Sequence, residues 1–433
     1  MILSKYNYFY ESKELDKSIL INYLNGRMLI FRDEANNQIK DFLFGTKPNS
    51  TIYDYLLKNG YLVNRNIDVS KEVDKIRRNI CENKDILSLV FILTENCNLR
   101  CVYCCEQHKR TRMSMELQDQ IVKFVEENVH KYKCLKVEWF GGEPLLCMDI
   151  IEYLSKKFIK ICNKHKVQYF AVTSTNGFLL NSKNLEKLKN LRVLVYQITV
   201  DGLKETHDAQ RMQANGSGSW NIIINNLRDI RDNFKSNLIS LIIRTNVTHP
   251  IYQVIDRYMD FLMDEFGSDQ RFSFLWRIAE DWGNIEEKNL EILCGTKEYS
   301  DVIMLAAQKG LRNRYLSGTL KPGARVCEAT QKNSLIFFPT GIIGKCERNV
   351  HPEKSHIGTI DDLLREPDKY LNITLSKEEV PDVCRTCSKF VICLGKACPF
   401  ITDAQCGYEM KDIDVLLNCI ISCDDSCNIV SKI

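Results

Sequence analysis

The sequence predicts an α/β protein built around a parallel sheet, and three observations carry that prediction. Six apolar runs recur after residue 86, at 87–93, 135–140, 167–173, 194–200, 238–245 and 272–278. Near-continuous apolar runs of this length suit strands covered on both faces. Between them lie amphipathic stretches such as 115–130 and 221–234, long enough for crossover helices. The distinctive glycine-rich and polar strings follow the runs, where α/β folds collect their chemistry. Six successive βα units describe a barrel or a doubly wound sheet, and periodicity alone does not choose between them.

The elements are justified in chain order. Residues 1–85 form a separate segment: "ILINYLNGRMLIF" reads as two strands around an Asn25-Gly26 turn. A helix follows, then a second one over "STIYDYLLK" with a Gly60 stop and a further strand. The first βα unit ends its strand in "TENCNLRCVYCC", with Cys97, Cys101, Cys104 and Cys105. The second ends in "GGEP", Gly141 to Pro144; the third in "STNG", from Ser174; the fourth in Asp201-Gly202. Four such strings in a row support one site. The βα segment is expected over 86–300, and a cysteine-rich region over 301–433.

Composition removes several function classes. Lys plus Arg number 59 against 56 Asp plus Glu, a net charge of +3, without the basic excess of a nucleic-acid binder. No opening apolar run suits a signal peptide, and no stretch of about 18 uncharged apolar residues suits a membrane span. No nucleic-acid or membrane partner is therefore expected, and the expected location is the cytoplasm.

The chain has 19 cysteines. Thiols stay reduced in the cytosol, so grouped ones read as metal ligands rather than disulfides. Cys81, Cys134, Cys147, Cys162 and Cys294 are scattered singly and read as small buried hydrophobes. Cys97, Cys101 and Cys104 lie within eight positions, close enough to wrap one cluster. Four thiolates would close an iron–sulfur cluster, whereas three leave one iron open. Zinc prefers paired C-x-x-C knuckles or histidine partners, and the first spacing here is three.

These motifs together resemble the radical S-adenosylmethionine (SAM) enzymes over residues 86–420. The resemblance implies a partial (β/α)6 TIM-type barrel and a [4Fe-4S] cluster on Cys97, Cys101 and Cys104. Its open iron would chelate SAM, whose reductive cleavage yields a radical that abstracts a substrate hydrogen. It also implies a low-potential electron donor such as ferredoxin or flavodoxin. Tyr103 resembles the aromatic beside the adenine. Gly141, Gly142, Glu143 and Pro144 resemble the segment that positions the methionine amino group. Ser174, Asn176 and Asp201 resemble positions lining the carboxylate and ribose. Cys105 is expected to point away from the cluster.

The second cysteine group resembles the SPASM extension, which holds two auxiliary [4Fe-4S] clusters. By that resemblance Cys327, Cys346 and Cys398 hold the first, and Cys384, Cys387 and Cys393 hold the second with one later cysteine. Cys406 is preferred for that place, because a helix after it would carry Cys419 elsewhere. The spacing of four between Cys393 and Cys398 departs from the common three, and the first auxiliary cluster has only three evident ligands. Residues 1–85 resemble a small winged-helix domain that binds leader peptides. The expectation is thus a maturase acting on a precursor peptide with a leader, installing a thioether or carbon–carbon crosslink. One alternative is a sulfatase-type maturase forming formylglycine, with Glu347 after Cys346 where that relative has Asp. The alternative of another class is a zinc-binding interaction protein without catalysis.

Overall fold

The computed structural model describes residues 1–423, apart from 13–14, 45–49, 65–68, 105, 282–284, 286, 313–319, 348–351, 376–383, 385–386, 396–397 and 401–412. Cys105 and Cys406 lie outside the described residues. The chain divides into two compact units: 1–81 with 303–330 and 376–433, and 82–302 with 331–375.

In the first unit, β1 (Ile2–Leu3) pairs antiparallel with β5 (Leu62–Val63). Between them β2 (Asn7–Ser12), β3 (Lys17–Asn22) and β4 (Arg27–Arg32) form an antiparallel sheet. The expected turn closes the β3–β4 hairpin: the Asn22 side chain accepts the N–H groups of Leu24 and Asn25, and Gly26 takes φ +71°. Helices over Asp33–Phe44, Ser50–Lys58 and Val69–Glu82 complete the N-terminal part. The sheet has two apolar faces. Leu20 packs with Ile39, Leu56 and Tyr61 of the local helices and loop. Ile19, Ile21 and Tyr23 pack instead with Val391, Ile392, Leu394, Ile413 and Leu417, so the two ends of the chain share one core.

The second unit is built on six parallel strands: β6 (Ile86–Ile92), β8 (Cys134–Phe140), β9 (Gln168–Thr175), β10 (Val193–Thr199), β12 (Ser240–Val247) and β13 (Phe272–Ile278). They lie side by side in chain order. From β6 to β13 each strand adds beyond the last, and β14 (Ser334–Phe337) pairs parallel with β6 on its other side. Two short strands, β7 (Leu99–Cys101) and β11 (Arg211–Gln213), pair with each other outside the sheet. Beyond β14 the sheet continues through β15 (Ile342–Gly344) and β16 (His356–Thr359).

β6 is buried almost throughout, which explains its unbroken apolar run, whereas β8 and β9 alternate buried with half-buried residues. The fully buried positions build a helix-covered core in which Phe91 stacks with Trp139, Phe158 and Phe337. The alternating positions form a polar row on the other face: Gln197 donates to Ser174, and Ser174 to Glu138. A polar inner row on an otherwise apolar sheet leaves that face suited to a polar ligand. Among the described residues no helix is long and apolar enough to cross a membrane.

Candidate functional site

The site is built where the loop after β6 meets the loop after β8. Gly142 N–H donates to the Thr94 carbonyl at 2.9 Å, and Glu143 N–H to the Asn96 carbonyl at 3.0 Å. This approach requires glycine. A Cβ at Gly141 would stand 2.4 Å from the Thr94 oxygen, and one at Gly142 2.3 Å from the Asn96 oxygen; Gly141 also takes φ +119°. The glycine pair therefore seats the segment leading into Cys97.

Glu143 braces this arrangement from inside. Its fully buried carboxylate accepts the Leu145 N–H at 3.0 Å, the Thr175 hydroxyl at 2.7 Å and the Asn176 N–H at 2.8 Å. It thus joins the ends of β8 and β9. Pro144 opens a short 3-10 turn behind it. Burial raises the Glu143 carboxyl, and the donors from Asn176, Thr175 and Leu145 oppose that rise. Asn176 reaches back to the cysteine loop, its side-chain amide donating to Asn98 at 2.8 Å and to the Cys97 sulfur at 3.6 Å.

The other side of the loop is held by a charged network. Arg211 stands opposite Cys101 in the β7–β11 pairing. Its Nη1 donates to the Tyr103 hydroxyl at 2.7 Å and lies 3.5 Å from Asp201 Oδ2. The Tyr103 hydroxyl donates to Asp201 and accepts from the Asn246 amide at 3.2 Å. Asp201 also accepts the Asn246 N–H at 2.7 Å. Both charged groups are buried, and a buried pair of this kind is tolerated only when its remaining valences are satisfied. Burial alone would lower the Arg211 guanidinium, but Cys101, Tyr103 and Asp201 raise it well above its usual value. Behind Asp201, buried His207 accepts the Asp201 N–H through Nδ1 at 3.2 Å and lies 3.0 Å from the Ser219 hydroxyl through Nε2.

The structure thus brings Cys97, Cys101, Cys104, Tyr103, Gly141, Gly142, Glu143, Pro144, Ser174, Asn176 and Asp201 to the carboxyl ends of neighbouring strands. Sequence reasoning missed Arg211, His207 and Asn246. His207 lies on the helix Lys204–Gln210 and Arg211 opens β11 directly after it, but nothing in a single sequence aims either residue at the cysteine loop.

The thiols fit ligation by an iron–sulfur cluster. None of the three is in a disulfide. The Cys97 sulfur receives the Leu99 N–H at 3.4 Å, and the Cys104 sulfur receives the Glu106 N–H at 3.4 Å, contacts that favour thiolate character. Burial pushes the Cys97 thiol up to about 11 and raises Cys101 as well. A metal would have to supply the positive charge that lets them ionise. Among the described residues no three His, Cys, Asp or Glu side chains converge as the ligands of a single ion do. A cluster, whose irons take one thiolate each, asks for a wider set.

The second cysteine group is described except for Cys406. Cys387 N–H donates to the Cys384 carbonyl at 3.2 Å, and Cys393 closes the short Phe390–Cys393 helix. Residues 391–392 pair through backbone hydrogen bonds with 323 and 325, on the segment that leads into Cys327. Cys327 and Cys398 belong to the first unit and Cys346, just after β15, to the second. Cys419 is carried into the core by the Ile413–Cys423 helix, 3.3 Å from the Met304 sulfur. Of the scattered cysteines, Cys147, Cys162 and Cys294 are buried and Cys81 and Cys134 half-buried.

Comparison with known proteins adds independent findings. Residues 91–256 match the radical SAM superfamily model. An uncharacterized protein of Methanocaldococcus jannaschii is 32% identical over 30% of this chain and 44% of its own length. A cysteine-type anaerobic sulfatase-maturating enzyme of Clostridium novyi is 30% identical over 44% of this chain and 50% of its own. The chain therefore spans half or less of these two relatives. The radical SAM cyclopropyl synthase TigE of Paramaledivibacter caminithermalis is 22% identical over 88% of this chain and 83% of its own. Among solved structures, native anSMEcpe with bound AdoMet and Kp18Cys peptide superposes with a TM-score of 0.64. That match has 18% identity and covers 80% of this chain and 100% of that one, a likeness of fold.

Proposed function

From the match of residues 91–256 to the radical SAM superfamily we propose that this chain is an enzyme of that superfamily, a SPASM-type maturase of a ribosomally made peptide. The observation that carries the reading is the seating of the C-x3-C-x2-C loop on Gly141–Glu143, which leaves three thiols and a glycine-lined approach at one end of the sheet. When bound, a [4Fe-4S] cluster and SAM supply the one-electron cleavage that yields a hydrogen-abstracting radical.

The chain's own residues do the holding. Cys97, Cys101 and Cys104 would ligate the cluster. With Glu143 engaged in three hydrogen bonds, the backbone of 141–143 is left to meet the methionine ammonium. Arg211, buried and fully charged, offers a partner for a carboxylate. Tyr103, pinned through its hydroxyl, presents its ring edge and face rather than a free polar tip.

A peptide substrate is supported by two considerations. A solved structure of the same fold holds AdoMet together with a peptide. Among the described residues the antiparallel β2–β3–β4 sheet also leaves β4 as an edge strand, a surface suited to pairing with a leader. The winged-helix-like domain, the partial barrel and the two auxiliary clusters belong to this proposal. So do the thioether or carbon–carbon crosslink and a ferredoxin- or flavodoxin-like donor. A second reading, oxidation of a peptide cysteine or serine to formylglycine, is favoured by the local likeness to the C. novyi enzyme and by Glu347 beside Cys346.

The test is anaerobic reconstitution followed by incubation with SAM, a low-potential reductant and candidate peptides. About twelve irons per chain, 5′-deoxyadenosine, and a peptide lighter by two hydrogens with an internal crosslink support the maturase. Formylglycine as the product supports the second reading. Zinc in place of iron with no SAM cleavage overturns both.

A further inference from the structure

Tyr23, immediately after β3, is completely buried in the core shared by the two ends of the chain. Its neighbours there include Phe390, Val391, Ile392 and Cys393, the residues that run between Cys387 and Cys398. Its hydroxyl has no hydrogen-bond partner among the described residues.

The adjacent Tyr8 makes an internal comparison. Its ring centroid lies 6.1 Å from that of Tyr23. Its hydroxyl is satisfied, donating to Asp414 at 2.6 Å. Asp414 also pairs with Lys389 at 3.2 Å, and Lys389 sits 4.5 Å over the Tyr8 ring. Of two neighbouring tyrosines, one is completed by a described side chain and, among the described residues, the other is not. A buried O–H without an acceptor is costly and seldom kept, so an acceptor that is not a described protein atom completes it. The bridging sulfide of a cluster is such an acceptor, and hydrogen bonds to a cluster's sulfurs are among the levers that set its potential.

We propose that Tyr23 donates its hydroxyl hydrogen bond to a sulfur of an iron–sulfur cluster held by Cys384, Cys387 and Cys393, and thereby raises that cluster's reduction potential. This rests on the reading of those cysteines as cluster ligands. The donor favours the reduced cluster because reduction adds negative charge to the sulfurs it faces. It makes Tyr23 a positioning residue for an electron carrier, contributed by the N-terminal sheet rather than by the cysteine-rich segment itself.

The experiment is Tyr23→Phe in the full chain, reconstituted anaerobically, with iron counted and potentials read by an EPR-monitored titration. Iron content is expected to stay at the wild-type value. The one-electron reduction constant of one cluster is expected to fall about tenfold, a shift of about 59 mV to lower potential. Tyr8→Phe is expected to leave that potential in place, because Asp414 already holds its hydroxyl. In metal-free protein Tyr23→Phe is expected not to lower the thermal midpoint. Full iron with every potential unchanged overturns the inference, as does loss of iron together with a collapsed metal-free midpoint, which would make Tyr23 a packing residue. The ligand reading is tested apart: a Cys387→Ala variant that keeps the wild-type iron count overturns it whatever Tyr23 does.

Discussion

Arg211 Nη1 lies 2.7 Å from the Tyr103 hydroxyl, and Arg211 stands opposite Cys101 in the pairing of β7 with β11. One cation thus ties the cysteine loop to Asp201 at the end of β10. Replacing Arg211 by Met leaves Asp201 buried without its counter-charge, which costs about 3–5 kcal/mol for a pair of this type. Urea denaturation is expected to show that loss, and Arg211→Met combined with Asp201→Asn to recover part of it. Equal stabilities for the single and double variants would separate Arg211 from Asp201.

Gly142→Ala tests the seat of the cysteine loop. The added Cβ meets the Asn96 carbonyl oxygen, backbone that cannot swing away. The loop is expected to shift and to lose its cluster while the C-terminal cysteines keep theirs. Iron then falls from about twelve to about eight per chain, and 5′-deoxyadenosine formation is lost. Full iron content with undiminished SAM cleavage would contradict this account.

His207 carries a pH prediction. Burial holds it well below the ordinary imidazole value, and its Nδ1 accepts the Asp201 N–H, which only the neutral ring does. A histidine with a depressed folded value contributes stability above its unfolded value, about 6.5, and loses it as pH falls through that point. By pH 5.5 the loss is about 1.4 kcal/mol. His207→Gln is expected to flatten this part of the profile. Parallel profiles for variant and wild type would rule the mechanism out.

Removal of residues 1–81 exposes Val391, Ile392, Leu394, Ile413 and Leu417, whose core they complete. The truncated chain is expected to retain the iron of the Cys97 loop, about four per chain, and to lose that of the C-terminal cysteines. Iron analysis and gel filtration check it. Twelve irons in a monodisperse truncated chain would show that the C-terminal segment folds without the N-terminal sheet.

The sequence by itself determined the six strands, because each is an apolar run whose length and spacing reflect only local geometry and burial. It likewise placed Cys97 to Cys104 and Gly141 to Pro144 at strand ends, since motif and strand are adjacent in the chain. It did not carry the short edge elements β2, β7 and β11. Their residues are only partly apolar, and they exist because a partner strand supplies hydrogen bonds. Tertiary structure alone decided three things: the order of the strands in the sheet, the closing of Arg211 onto Tyr103 and Asp201 from 108 and 10 positions away, and the common core of residues 1–81 with the chain's other end. Each depends on contacts between segments distant in sequence. The residues that make them, an arginine, a tyrosine and a handful of ordinary aliphatics, have no local pattern that distinguishes them from their neighbours.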